Sequence, residues 1–147
     1  MHVSSGGTVE WTAISGGGVL DVLSGGAAFS TQINDGGEFD IFSGGSSFFT
    51  SVTGTGFMRV FDGGFADQTQ VQGRTATLHV QFGSANHTFV SGGGTEADDR
   101  SARSFGTLIL SGGTQLIIGG HASASQAFVF SGGCSRSASQ ARLFPPR

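Results

Sequence analysis

Paired carboxylates are the first groups to weigh, because two acids on one face of a chain can cleave a glycosidic bond by general acid and base catalysis. Asp21 and Asp40 stand 19 residues apart, and Arg59 follows after another 19. A basic third member reads as a cross-strand ion pair on a solvated face rather than as a catalytic pair. A second acidic group, Asp98-Asp99-Arg100, offers ligands for a cation or a sugar. Its plainest reading is the charged tip of a surface loop. Together with Arg103 it is also where a carbohydrate-active enzyme would have to assemble carboxylates and guanidinium groups, so it carries the alternative enzymatic reading.

Other chemistries find less support. His2, His79, His87 and His121 are far apart and have no i, i+2 or H-E-x-x-H spacing, and Cys134 is the single cysteine. That inventory makes neither a zinc ligand set nor an internal disulfide. The G-G-x-G-x-D calcium repeat does not occur, and Gly54-Thr55-Gly56 lacks the third glycine of a dinucleotide loop. The seven basic residues are all Arg. Without Lys there is no Walker A phosphate site, no Schiff base and no Lys-assisted serine nucleophile. Residues 1–99 hold all ten acids against two Arg, so the chain lacks the basic face that nucleic acid requires. No apolar run approaches 18 residues, which argues against direct membrane insertion by this segment. No catalytic, cofactor-binding or metal-binding residue is therefore expected.

The elements that position these groups come from a repeat. Among 147 residues, 27 are Gly, and Ser-Gly-Gly begins at Ser5, Ser24 and Ser43, with Asp-Gly-Gly at Asp62, each 19 after the last. Gly6, Gly7, Gly25, Gly26, Gly44, Gly45, Gly63 and Gly64 mark one corner; Gly17, Gly18, Gly36 and Gly37 mark a second. Glycine suits corners because a tight turn needs positive φ or close backbone approach. Between corners the same columns recur: Thr12, Thr31, Thr50 and Thr69, then Ile14, Ile33, Val52 and Val71 two residues on. Leu20, Phe39 and Met58 precede Val22, Ile41 and Val60 by two, which is strand spacing.

Strands of one unit could pair as hairpins or stack on the equivalent strand of the next unit. Position-by-position uniformity of the columns favours stacking. The fold expected is all-β: a parallel β-helix, or β-solenoid, with about 19–20 residues per turn and roughly seven turns. Its Thr column would form a hydrogen-bonded ladder beside continuous Ile/Val burial. Residues 1–144 form the solenoid in this reading, regular over 5–81. The stretch 82–110 is irregular, with a surface insertion around 96–104, and the Ser-Gly-Gly corners resume over 111–133 from Ser111 and Ser131. Pro145-Pro146-Arg147 reads as a frayed tail.

These motifs resemble the AIDA-type repeat of bacterial autotransporter adhesin passengers, S-G-G-x(4)-T-x-V-x-x-G-G-x(3)-V. Ser24-Gly25-Gly26, Thr31, Ile33, Gly36-Gly37 and Ile41 fit best, Ser5 to Val22 fit equally, and Ser43 to Val60 fit except at the second corner. The resemblance covers about the first 80 residues well. It implies a right-handed β-helix outside the outer membrane, anchored there if a barrel follows, that works in adhesion, autoaggregation or biofilm formation. The implied partners are polysaccharide, a host surface or another copy. Some members carry heptose on repeat serines, which makes Ser5, Ser24, Ser43, Ser111 and Ser131 candidate glycosylation positions.

Aromatic residues complete the picture. Trp11, Phe29, Phe48, Phe49 and Phe65 crowd the segment after the first corner, and Leu23, Phe42 and Phe61 form a column before it. Strand alternation cannot bury all of them. Internal corner stacking is the preferred reading, ahead of an exposed strip for sugar stacking or self-association.

Overall fold

A computed structural model describes residues 1–119 and 121–138; the proposed tail at Pro145-Pro146-Arg147 lies outside them. The described chain forms 22 short strands in three parallel sheets of eight, seven and seven strands. Every strand pairs with the one three elements further on, which is the equivalent strand one turn later. The chain is therefore a parallel β-solenoid, and like residues do stack: Leu20 on Phe39, Phe39 on Met58, Met58 on Leu78.

Alternation sets which residues face inward. Sheet 1 contains Val19–Val22, Glu38–Ile41, Phe57–Val60 and their equivalents, and buries Leu20, Phe39, Met58 and Leu78 beside Val22, Ile41, Val60 and Val80. Sheet 3, with Gln32–Ile33 and Ser51–Thr53, buries Ile14, Ile33, Val52, Val71, Val90 and Ile109. Sheet 2 faces them with small residues only, Ala28, Ser47, Ala66, Ala85 and Ser104. Large side chains from two sheets fill the space, and the third wall must be thin.

Corners continue the ladder instead of interrupting it. Between sheets 1 and 2 the amides of Ser5, Gly25 and Gly44 donate to Ser24, Gly44 and Gly63 at 2.9, 3.0 and 3.0 Å. Gly44 holds a left-handed φ of 76°, and a Cβ on Gly45 would sit 2.5 Å from the Val22 carbonyl oxygen of the turn below. The first glycine of a pair serves conformation and the second serves close approach.

Three expectations require correction. Residues 96–104 do not leave the coil: the strand Thr95–Asp99 pairs in register with Thr77–Gln81 on one side and Thr114–Ile118 on the other. The extra residue near Gly73 is offset by a shorter corner at Phe82-Gly83, so the sheet 1 column steps from Met58 to Leu78 to Glu96 and regains phase. Ser111-Gly112 and Ser131-Gly132 do not resume the corner of Ser5, Ser24 and Ser43. They lead from sheet 3 into sheet 1, stacked on Gly92-Gly93, because both corners accept the same tripeptide. Finally, the Thr column is no hydrogen-bonded ladder. Thr31, Thr50, Thr69, Thr88 and Thr107 point inward, yet the Thr31, Thr69 and Thr88 hydroxyls have no partner. Thr50 bonds instead to Ser47 within its own turn, at 2.6 Å.

Candidate functional site

The outer face of sheet 1 carries the predicted charge column. Asp21 and Asp40 are neighbours, with Arg59 next. Arg59 clasps Asp40 with two bonds of 2.6 Å, from Nε and from one terminal nitrogen, and reaches Glu38 at 3.1 Å. Burial raises the Asp40 carboxyl above its usual range, opposed by the bond and charge of Arg59. His2 meets Asp21 at 2.7 Å at the head of the same column. On sheet 2, His87 meets Asp67 at 2.8 Å. Opposite charges one turn apart fasten turns together, and the Asp21/Asp40 column acts as an ion-pair face.

Ser5, Ser24 and Ser43 lie exposed along one edge, between sheets 1 and 2, with Asp62 next in the row. Ser111 and Ser131 are exposed on the edge between sheets 3 and 1. The Ser24 and Ser43 hydroxyls sit directly against Gly44 and Gly63 of the following turn, where a Cβ would come within 2.9 and 2.7 Å. The missing side chain leaves each hydroxyl room at the surface.

The four residues of the enzymatic alternative do not converge. Asp98 points into the core, Asp99 lies on the outer face of sheet 1, Arg100 is at the exposed corner over the Phe82 ring, and Arg103 is exposed on sheet 2. The expected charged loop tip is thus partly interior. Among the described residues no group of three or more His, Cys, Asp and Glu is placed to hold a metal ion.

Sequence reasoning missed the chemistry inside that turn. Glu96 and Asp98 occupy the two inner columns where earlier turns hold Leu78 and Val80, and both are 0% exposed. Ser104 Oγ lies 3.1 Å from Glu96 and 2.5 Å from Asp98. The Gln115 amide donates to both, at 3.3 and 3.1 Å, and approaches Thr107 Oγ1 at 3.4 Å. A serine hydroxyl has one proton and cannot donate to two carboxylates, so its second contact calls for a carboxyl that carries its own proton. Burial, then the neighbouring Asp98, pushes Glu96 up to about 8. Burial pushes Asp98 up to about 6, against bonds from Ser104 and Gln115. The cluster is internally satisfied and has no route for substrate. Its signal was present in the sequence: an E-x-D spaced by two, 19 residues before Gln115 and Ile117.

The aromatic residues are outside, which corrects the preferred reading of internal corner stacking. Phe29 stacks on Phe48 with centroids 5.1 Å apart, and Phe42 on Phe61 at 4.9 Å. Phe29 and Phe48 flank the inward Ala28 and Ser47, so alternation turns them out, and the thin wall of sheet 2 has no space for a ring. Trp11 and Phe49 are more exposed still, at 81% and 54%.

Fold and repeat together define the class: a parallel β-solenoid of AIDA-like repeats, the kind found in autotransporter adhesin passengers. No family model matches the chain, and no curated protein sequence matches it. Among solved structures, the chain is similar to the crystal structure of a TibC-catalysed, hyper-glycosylated TibA fragment covering residues 55–350 of that protein. The two share 28% identity at a TM-score of 0.83, over 95% of this chain and 57% of the fragment. The chain thus spans little more than half the length of the structure it matches.

Proposed function

We propose that this chain is a structural and adhesive stalk segment of an exported bacterial surface protein, acting in adhesion, autoaggregation or biofilm formation and not as an enzyme. The observation that carries the reading is the solenoid likeness to the TibA fragment over 95% of the chain. Two features support it. The turns are stacked without interruption, so weak contacts on one face recur along the axis and multiply by avidity. The carboxylates either face solvent in ion pairs or are sealed in the core. Polysaccharide, a host surface or another copy are the partners such faces serve, and the working location is extracellular or on the cell surface.

Glycosylation belongs to the same reading. Because the TibA fragment is hyper-glycosylated by TibC, the exposed Ser5, Ser24 and Ser43 edge is the first candidate for sugar attachment, with Ser111 and Ser131 on a separate edge. Cells carrying the parent gene should settle and attach faster than cells with residues 1–138 deleted in frame. Equal settling and equal attachment would remove the adhesive reading. Intact mass of the protein from its own host tests the glycan, and a mass equal to the sequence refutes it.

A further inference from the structure

The third corner, between sheets 2 and 3, is a single residue in every turn, and its occupants adopt left-handed φ: Trp11 at 53°, Ser30 at 54°, Phe49 at 58°, Gln68 at 54°, His87 at 49° and Gly106 at 71°. Glycine suits that conformation, and a bulky residue there is strained by about 1 kcal/mol or more. Trp11 and Phe49 are the costliest occupants, and neither recovers the cost by burial. The strain holds two rings out from the coil.

Beside that corner runs a groove. One cleft of about 100 Å³ is lined by Trp11, Thr12, Ala13, Ser30 and Gln32. Two turns further on, the equivalent positions form a cleft of about 180 Å³, lined by Phe49, Thr50, Ser51, Gln68, Gln70 and Phe89. The two are sections of one furrow parallel to the solenoid axis. None of its lining residues is ionisable, whereas the charge columns lie on sheets 1 and 2. An uncharged groove excludes an anionic strand by offering it no counter-charge and suits a neutral one. Gln32, Gln68 and Gln70 are exposed, and their side-chain amides make no hydrogen bond among the described residues. Each offers two donors and an acceptor to hydroxyl groups.

We propose that this groove binds an extended, uncharged β-1,4-linked glycan strand, with Trp11, Phe49 and Phe89 as stacking platforms and Gln32, Gln68 and Gln70 as hydroxyl partners. The inference rests on the adhesive reading and names its ligand and site. Successive platforms are two turns apart, which at about 4.8 Å per turn places them about 10 Å apart along the axis. An extended β-1,4 chain turns over at every sugar and presents the same ring face once per disaccharide, at the same interval. Aromatic rings stack on the apolar faces of sugars while the amides take the equatorial hydroxyls.

The test is retention of the purified chain on microcrystalline cellulose and on colloidal chitin, with soluble alginate as an anionic control in affinity electrophoresis. The expected result is retention on at least one neutral matrix, weakened roughly tenfold or more in a Trp11→Ala/Phe49→Ala/Phe89→Ala triple variant, and no shift in alginate. Circular dichroism should show the same strand signal in both proteins, since all three rings are outside the core. A Gln32→Ala/Gln70→Ala variant, which keeps every ring, should weaken retention as well. Passage through both neutral matrices, retention unchanged by the triple variant, or preference for alginate each overturns a neutral-glycan groove. Settling of cells that express the triple variant separates the two readings: unchanged settling with lost retention keeps both the adhesive role and the groove. Normal settling without wild-type retention removes the groove alone.

Discussion

The buried pair Glu96 and Asp98 makes stability fall as pH rises. Both carboxyls hold their proton more tightly in the folded chain than in the unfolded one, where their values are 4.5 and 3.8. The folded state therefore binds more protons across the window from about pH 4 to about pH 8, and unfolding becomes easier with each step upward. The full contribution is present below the unfolded values and is lost through about 6 for Asp98 and about 8 for Glu96. Each unit of pKa difference is worth about 1.4 kcal/mol, which bounds the pair at several kcal/mol. Water entering the ionised core reduces that bound, so the expected loss between pH 5 and pH 9 is about 3 kcal/mol, or roughly 10 °C in Tm for a chain this size. Thermal melts followed by circular dichroism at pH 5, 7 and 9 give the curve for the wild type and for a Glu96→Gln/Asp98→Asn variant, which keeps polar partners for Gln115 and Ser104. Burial lowers His79, so its contribution runs the opposite way up to about 6.5, and it remains in both proteins along with Asp40. The difference between the two curves isolates the pair. Parallel curves, or a difference that grows in favour of the wild type at high pH, refute the reasoning.

Three further outcomes follow from the packing. Replacing Arg59 with Leu strands the largely buried Asp40 carboxylate and should cost about 1–3 kcal/mol in urea unfolding, most of it recovered by adding Asp40→Asn. Gly45→Ala drives a Cβ to 2.5 Å from the Val22 carbonyl oxygen, whereas Gly6→Ala meets nothing within 4 Å and pays only for its left-handed φ. The first should lower Tm clearly more than the second, whose cost is about 1 kcal/mol. Thr69→Val removes a buried hydroxyl that has no partner and should raise stability by up to about 1 kcal/mol, while Thr50→Val breaks the bond to Ser47 and should lower it by a similar amount.

The fold was legible early because a stacked coil repeats its chemistry in one dimension. Columns such as Ile14, Ile33, Val52 and Val71, and the glycine pairs that turn the chain, specify both period and parallel register. The Asp40–Arg59 pair was legible for the same reason, since residues one period apart must be neighbours. Ambiguity entered where one local pattern serves two places. Ser-Gly-Gly at Ser24 and at Ser111 describes the same tight turn, and only the pairing of the following strands tells which corner each one makes.

What the amino-acid order settled by itself was periodicity, strand polarity and the absence of Lys-dependent chemistry, all local or cyclic properties of the chain. Inside and outside were settled by the tertiary structure. Glu96 and Asp98 have the polarity of surface residues, yet the shortened corner at Phe82-Gly83 brings them into the columns of Leu78 and Val80. Phe29 and Phe48 have the composition of a core, yet the narrow wall of sheet 2 turns them out to solvent. In each case the phase of the strand relative to its neighbours overrides the preference of the side chain, because shifting one residue would expose every apolar column on that strand.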